Sequence, residues 1–401
     1  MRSVEEHQRV VAEMIRARPA VAVGLAEAQG LVLADDVVAS LALPVFDNSA
    51  MDGYAVRAED VAGATPEQPV MLEVAEDIPA GRIDELTLQP KTAHRIMTGA
   101  PLPAGATAVV PVEDTDGGVQ AVAIRAPRPE GAHIRRAGED VAPGTTVLRR
   151  GQVVTPAVLG LASALGMAAL KVVPRQRVLV MSTGSELVAP GAPLRPGQIY
   201  ESNSIMLAGA VREAGAKVIA VATAEDDVAQ FSSILDRYAG DCDLIITSGG
   251  VSAGAYEVVK DAFGRDGDQG VEFVKVAMQP GMPQGIGRVA GTTIVTLPGN
   301  PVSALVSFEV FIRPALRRAM GLPDPERPHR PAVLAESLTS PRGKRQFRRA
   351  ILDSEAGTVT SYGPPASHHL RWLASANGLL DIPEDVVEVS AGTELQVWDL
   401  T

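Results

Sequence analysis

Cysteine is nearly missing. Cys242 is the only one in 401 residues, so no intrachain disulfide can form and nothing points to an oxidising compartment. It opens the strand-like run DCDLIITS and reads as an inert buried thiol. Aromatic residues make up 3% of the chain, too few for a base-stacking surface. Positive charge is in deficit: 36 Lys and Arg face 48 Asp and Glu, for a net charge of −12. That excludes the broad basic face a nucleic-acid binder needs. No apolar run reaches the roughly 20 residues that cross a bilayer. The longest uncharged run, TPAVLGLASALGMAAL at 155–170, predicts a buried helix capped by Thr155 with Pro156 at its first position. At the N-terminus, acidic residues stand where a signal peptide has its apolar core, so a cytoplasmic location is expected.

What is present is ordinary globular material, 46% hydrophobic and 21% charged, in a chain long enough for two to four domains. Residues 3–17 read as a helix with Ser3 and Glu6 in capping-box spacing. From 31 to 150, short β-rich runs such as VMLEVAE and AVAIRAP alternate with Pro- and Gly-containing turns, predicting a mainly β region. Residues 175–322 alternate buried-strand runs with helical ones near 203–214, 227–239 and 256–263 and from Pro301 to Met320. This is the pattern of a largely parallel sheet covered by helices. Residues 326–401 predict a small β-barrel or sandwich.

Ligands of open α/β sheets bind outside the carboxyl ends of the strands. Here those ends run into Ser182-Thr183-Gly184-Ser185-Glu186, Glu225-Asp226-Asp227, Ser248-Gly249-Gly250-Val251-Ser252 and Pro298-Gly299-Asn300-Pro301. Paired glycines let backbone N–H groups approach an oxyanion, with Ser248 and Ser252 as hydroxyl donors. Glu186, Asp226 and Glu257 suit a hard cation such as Mg²⁺, which takes one or two carboxylates plus substrate phosphates. Asp227 reads as a helix N-terminal acid favoured by the dipole. The histidines form no zinc pattern. The segment SPRGKRQFRRA (340–350) is basic in an acidic chain. If it is a strand, Arg345, Phe347 and Arg349 share one face, and Lys344 and Arg348 the other. The segment is then either a clamp for an anion or a solvated basic strand.

One stretch, PVFDNSAMDGYAV at 44–56, follows neither the two-residue period of a strand nor the 3.6-residue period of a helix. With IMTGAPLPAGATAVV, STGSEL, TSGGVS and LPGNPVSA, in that order, it resembles the molybdopterin molybdenumtransferases of the MoeA type and is similar to the C-terminal domain of gephyrin.

The resemblance covers essentially the whole chain and implies a multidomain fold. A discontinuous N-terminal α+β domain takes 1–42 and 145–174, and an inserted mainly β domain takes 43–144. A central doubly wound, mostly parallel α/β domain spans 175–325 and a C-terminal small β-barrel 326–401. The implied reaction consumes adenylylated molybdopterin and molybdate with Mg²⁺, and releases AMP and molybdenum cofactor. Family functional positions fall on Asp52, Thr98, Glu186, Asp226, Lys275, Pro298, Pro301, Arg349 and Ser367. The polar groups of DNSAMDGY are expected to face a ligand rather than a core. A homodimer is implied, with the adenylylating enzyme and molybdoenzyme apoproteins as further partners, and neither nucleic acid nor membrane. Two features depart from the family: Glu257 replaces an aspartate, and Gln279 and Met282 replace lysines in a K-P-G-K-P loop. Adenylylation of molybdopterin itself and a non-catalytic pterin-binding scaffold are the alternative functions.

Overall fold

A computed structural model of the chain describes residues 1–251, 258–264 and 270–401. The chain divides into two compact units, one made of residues 1–21 and 171–401, the other of residues 22–170.

The larger unit is built on six strands: β1 (Arg177–Thr183), β2 (Lys217–Ala224), β3 (Leu244–Ser248), β4 (Val271–Lys275), β5 (Pro283–Val289) and β6 (Thr292–Leu297). Their order across the sheet is β2-β1-β3-β6-β5-β4. The first four are parallel, and β5 runs antiparallel to both β6 and β4. Sequence reading passes over β5, because PQGIGRV carries a proline and two glycines that look like a turn. Packing explains those glycines. A Cβ on Gly285 would sit 2.1 Å from Thr296 Oγ1, and one on Gly287 2.0 Å from the Gly270 carbonyl. Residues of β1 and β3 are buried on both faces, as near-continuous apolar runs in a helix-covered sheet must be. Val178, Val180, Leu244 and Ile246 meet the helices Asn203–Glu213 and Pro301–Ser307 and the N-terminal helix Val4–Met14. Leu179, Met181 and Ile245 meet the helices Val228–Tyr238 and Val258–Phe263. Ser3 caps the N-terminal helix, accepting the Glu6 N–H at 3.1 Å. The helix begun at Pro301 continues through a π-turn, Phe308–Ile312, to Ala319.

Five strands close a barrel: β7 (His329–Leu334), β8 (Arg345–Asp353), β9 (Thr358–Ser361), β10 (Gly378–Ile382) and β11 (Glu394–Asp399). They pair around the ring as β8-β9-β7-β11-β10 and back to β8. Met278 and Gln279 add a parallel bridge to the start of β8. Arg327 joins the barrel to the helices below it. Its guanidinium lies 2.9 Å from Glu309 and 2.5 Å from Glu213, and burial of Arg327 and Glu309 makes their pairing obligatory.

In the smaller unit a five-stranded sheet runs Ala108–Pro111, Gly53–Val56, Thr92–Ile96, Val70–Ile78, Ala121–Ile124. A Cβ on Gly53 would meet the Val110 carbonyl at 2.0 Å, which accounts for the glycine in MDGY. The apolar run 155–170 is not one buried helix. Thr155 caps the helix Pro156–Ala164, a turn follows at Gly166 with φ 72°, and Ala169 starts a strand. Only Val158 and Ala162 of that helix are buried, because its small residues leave the other side in solvent. Among the described residues, no helix is long and apolar enough to cross a membrane.

Candidate active site

Parallel strands ending at one edge bring their loops together, and in the larger unit the ends of β1, β3 and β6 wall a cleft of about 650 Å³. It is lined by Ser182, Thr183, Gly184 and Glu186 from the first loop, Asp226 from the second, Ser248, Gly249 and Gly250 from the third, and Gly299, Asn300 and Pro301 from the fourth. The loops thus converge. Ser252 and Glu257 lie outside the described residues.

Glycine lets these loops touch. Gly249 has φ 97°, and a Cβ there would lie 2.8 Å from both the carbonyl and the hydroxyl oxygen of Thr183. Gly299 packs on its other side, 3.5 Å from a Cβ built there to the Gly249 Cα. The segment 201–204 then ties the ensemble. Glu201, buried, accepts the Ser182 hydroxyl at 2.7 Å and the N–H and hydroxyl of Ser204 at 2.7 and 2.6 Å. Asn203 donates to the Ser248 hydroxyl at 2.8 Å and to the Gly299 carbonyl at 2.6 Å. Ser248 in turn donates to the Pro298 carbonyl at 3.3 Å. The hydroxyls of Ser182 and Ser248 are therefore spent on loop architecture. Thr183 Oγ1, buried in the cleft wall, finds no hydrogen-bond partner among the described residues.

Two carboxylates flank Gly184–Glu186. Asp226 accepts the Ser185 N–H at 3.1 Å while its own N–H donates to Ser185 Oγ at 3.0 Å. The Glu186 carboxyl folds back over Gly184, 2.6 Å from where a Cβ would stand. Two oxygen-donor side chains with room beside them fit Mg²⁺ held jointly with phosphate. Among the described residues no three His, Cys, Asp or Glu side chains cluster as a protein-only metal cage. Asp227 caps its helix, accepting the Gln230 N–H at 2.7 Å. Asn300 stands at the cap position before Pro301, but its side chain makes no cap hydrogen bond, and the residue lines the cleft.

The other expected positions are spread out. Lys275 ends the edge strand β4 and is exposed. Arg349 is 3% exposed, and its guanidinium donates to the carbonyls of Pro364, Ala366 and His369; burial and the adjacent Arg348 push its pKa down. It holds the loop that carries Ser367, whose carbonyl accepts the Val302 N–H at 3.0 Å. Arg345, by contrast, is fixed by Asp381 and Glu5 and is not available as a clamp. Gln279 accepts the Gln346 amide at 2.8 Å. These two glutamines, Pro280, Val302, Arg348, Arg349 and Pro365 surround a cavity of only about 10 Å³, room for about one water.

In the smaller unit Asp52 Oδ1 accepts the N–H and hydroxyl of Thr98 at 2.7 and 2.8 Å, and these bonds hold its carboxyl below the usual range. The rest of DNSAMDGY corrects the expectation of an outward polar face. Asn48, Ser49 and Tyr54 are buried; Asn48 bonds the Phe46 carbonyl, Ser49 the Met51 carbonyl, and Tyr54 the Gly118 carbonyl at 2.9 Å. Short polar side chains here replace backbone partners in a turn, and Asp52 is left to face outward.

Three sequence profiles match in order: "MoeA N-terminal region (domain I and II)" over residues 2–166, "Probable molybdopterin binding domain" over 179–318, and "MoeA C-terminal region (domain IV)" over 331–400. Molybdopterin molybdenumtransferase 2 of Mycobacterium tuberculosis is 81% identical over 405 residues, covering 100% of both chains. The chain belongs to the MoeA family. Molybdopterin molybdenumtransferase 1 of the same organism is 39% identical, over 99% of this chain and 98% of its own. Among solved structures, two molybdopterin biosynthesis MoeA proteins of Pyrococcus horikoshii cover 100% of this chain, and 99% and 100% of their own. They are 29% and 28% identical, with TM-scores of 0.80 and 0.73. As a MoeA protein the chain is an enzyme of molybdenum cofactor biosynthesis, a molybdopterin molybdenumtransferase.

Sequence reading missed Glu201, Asn203 and His368. The first two open the helix predicted at 203, and their position on the ligand edge of the sheet was a usable signal. His368 comes from the barrel side through a loop that no periodicity connects to the sheet.

Proposed function

We propose that this enzyme takes adenylylated molybdopterin and molybdate, transfers molybdenum to the pterin dithiolate, and releases AMP with Mg²⁺ bound. The observation that carries the reading is the cleft itself: glycine-lined loops at a helix N-terminus beside two carboxylates, which suits phosphate bound through a metal. Glu186 and Asp226 would hold Mg²⁺, which neutralises charge developing on the phosphate oxygens when bound. Backbone donors around Gly249, Gly250 and Gly299, with the Thr183 hydroxyl, would orient the adenylate phosphate. Asp52 and Thr98 are assigned to the pterin-bearing end. Molybdate, a tetrahedral dianion, calls for N–H, hydroxyl and guanidinium donors, and Lys275, Arg349 and Ser367 are assigned to it. Pro298 and Pro301 shape the fourth loop.

Gln279 and Met282 bear on molybdate affinity. Gln279, which accepts the Gln346 amide, and Met282 carry less positive charge than the two lysines they replace. The four-part domain division 1–42 with 145–174, 43–144, 175–325 and 326–401 belongs to the same proposal, as do a homodimer and a cytoplasmic location.

The test is reconstitution: purified enzyme, adenylylated molybdopterin, molybdate and Mg²⁺ are incubated with an apo-molybdoenzyme, and its activity is read. Activation that chelation of Mg²⁺ abolishes supports the reading. ATP consumption with free molybdopterin instead would identify an adenylyltransferase, and binding without either reaction a scaffold.

A further inference from the structure

The cleft that would receive the phosphates is lined, among the described residues, by three carboxylates, Glu186, Glu201 and Asp226, and by no lysine or arginine. One lining side chain can carry positive charge: His368. It arrives on the 364–369 loop, which is held in place from behind. The Arg349 guanidinium donates to the carbonyls of Pro364, Ala366 and His369, and the Ser367 carbonyl accepts the Val302 N–H at 3.0 Å. The second contact pins the loop to the first turn of the helix that starts at Pro301, so His368 stands beside that helix N-terminus. Its ring is set edge-on against His369, with centroids 4.4 Å apart.

A cation at a helix N-terminus opposes the helix dipole, whereas an anion bound between them is attracted by both. Imidazole donates an N–H in either protonation state, and a phosphate dianion favours the charged one. We propose that His368, presented by the Arg349-clamped loop, is the side-chain N–H donor that binds the adenylate phosphate of the substrate in the cleft that Glu186 and Asp226 also line. This rests on the adenylate-phosphate reading of the cleft. The role of Arg349 is then partly indirect: it positions His368.

The test is calorimetric titration of the full-length protein with AMP in Mg²⁺, comparing wild type, His368→Ala and His368→Lys. His368 is exposed, so both variants should melt with the wild type. Expected is AMP binding about tenfold weaker in His368→Ala, the scale of one charge-assisted hydrogen bond, and restored to within about threefold in His368→Lys, which returns an N–H donor. Wild-type affinity in His368→Ala, or equal weakening in both variants, overturns the inference while leaving the cleft reading intact. No AMP binding to the wild type overturns both.

Discussion

At the scale of single residues, Asp226 and His7 illustrate opposite uses of a titratable side chain. Asp226 is exposed and, among the described residues, hydrogen-bonded to Ser185, so Asp226→Asn should leave stability within about 0.5 kcal/mol. If the carboxylate holds Mg²⁺, the same change should slow AMP release about a hundredfold; equal loss of folding and turnover would sink that role. His7 is fully buried against Phe311 and beside Arg2, and burial with that neighbour pushes its pKa from 6.5 down to about 4. The unfolded chain therefore binds a proton that the folded one refuses. Stability is fully present above pH 6.5 and falls between pH 6.5 and 4, by on the order of 3 kcal/mol at the lower end. Urea melts at pH 7 and pH 4.5 read this directly, and His7→Leu should flatten the dependence. Cys242, also buried, has its thiol pushed up to about 11, consistent with the inert thiol expected from its strand.

At the scale of elements, loops and helix ends decide whether the cleft exists. Gly249→Ala combines a positive φ with a Cβ 2.8 Å from Thr183 oxygens. It should cost about 1–3 kcal/mol and weaken AMP binding, both readable from melts and titration. Arg327→Met removes the nearer cation from buried Glu309, leaving Arg313 3.7 Å away, and should cost about 3 kcal/mol in a urea melt. Elements with strong local signals were legible in the sequence: the buried runs of β1, β3 and β6, the Ser3 and Thr155 caps, and the proline-initiated helix at 301. Glycines in β5 hid a strand, because close packing against Thr296 and Gly270 is a tertiary cause with no local mark. The family resemblance implied ligand-facing polar groups at Asn48, Ser49 and Tyr54, yet Asn48 and Ser49 satisfy a buried turn and Tyr54 bonds the Gly118 carbonyl. Arg345 and Arg349 were placed on one face with Phe347, and Arg345 does lie over that ring, 5.4 Å from its centroid. Which of them is held by a carboxylate depended on Asp381, 36 residues away, and no spacing rule reaches that far.

At the scale of the whole molecule, one architecture serves several loops at once. The parallel part of the sheet sends four of them to one edge, the 201–204 segment locks three, and the barrel adds a fifth through Arg349. The order of the motifs along the chain made this family legible. The assignment of roles to individual residues was less so, because Ser182 and Ser248 sit at the predicted place but use their hydroxyls within the protein. In the function proposed, this cleft carries out molybdenum insertion despite Gln279 and Met282. AMP release from adenylylated molybdopterin, measured with purified enzyme and Mg²⁺ in the presence and absence of molybdate, tests it most directly. Release that depends on molybdate is expected; a substrate that binds but yields no AMP at any molybdate concentration would overturn the proposed function.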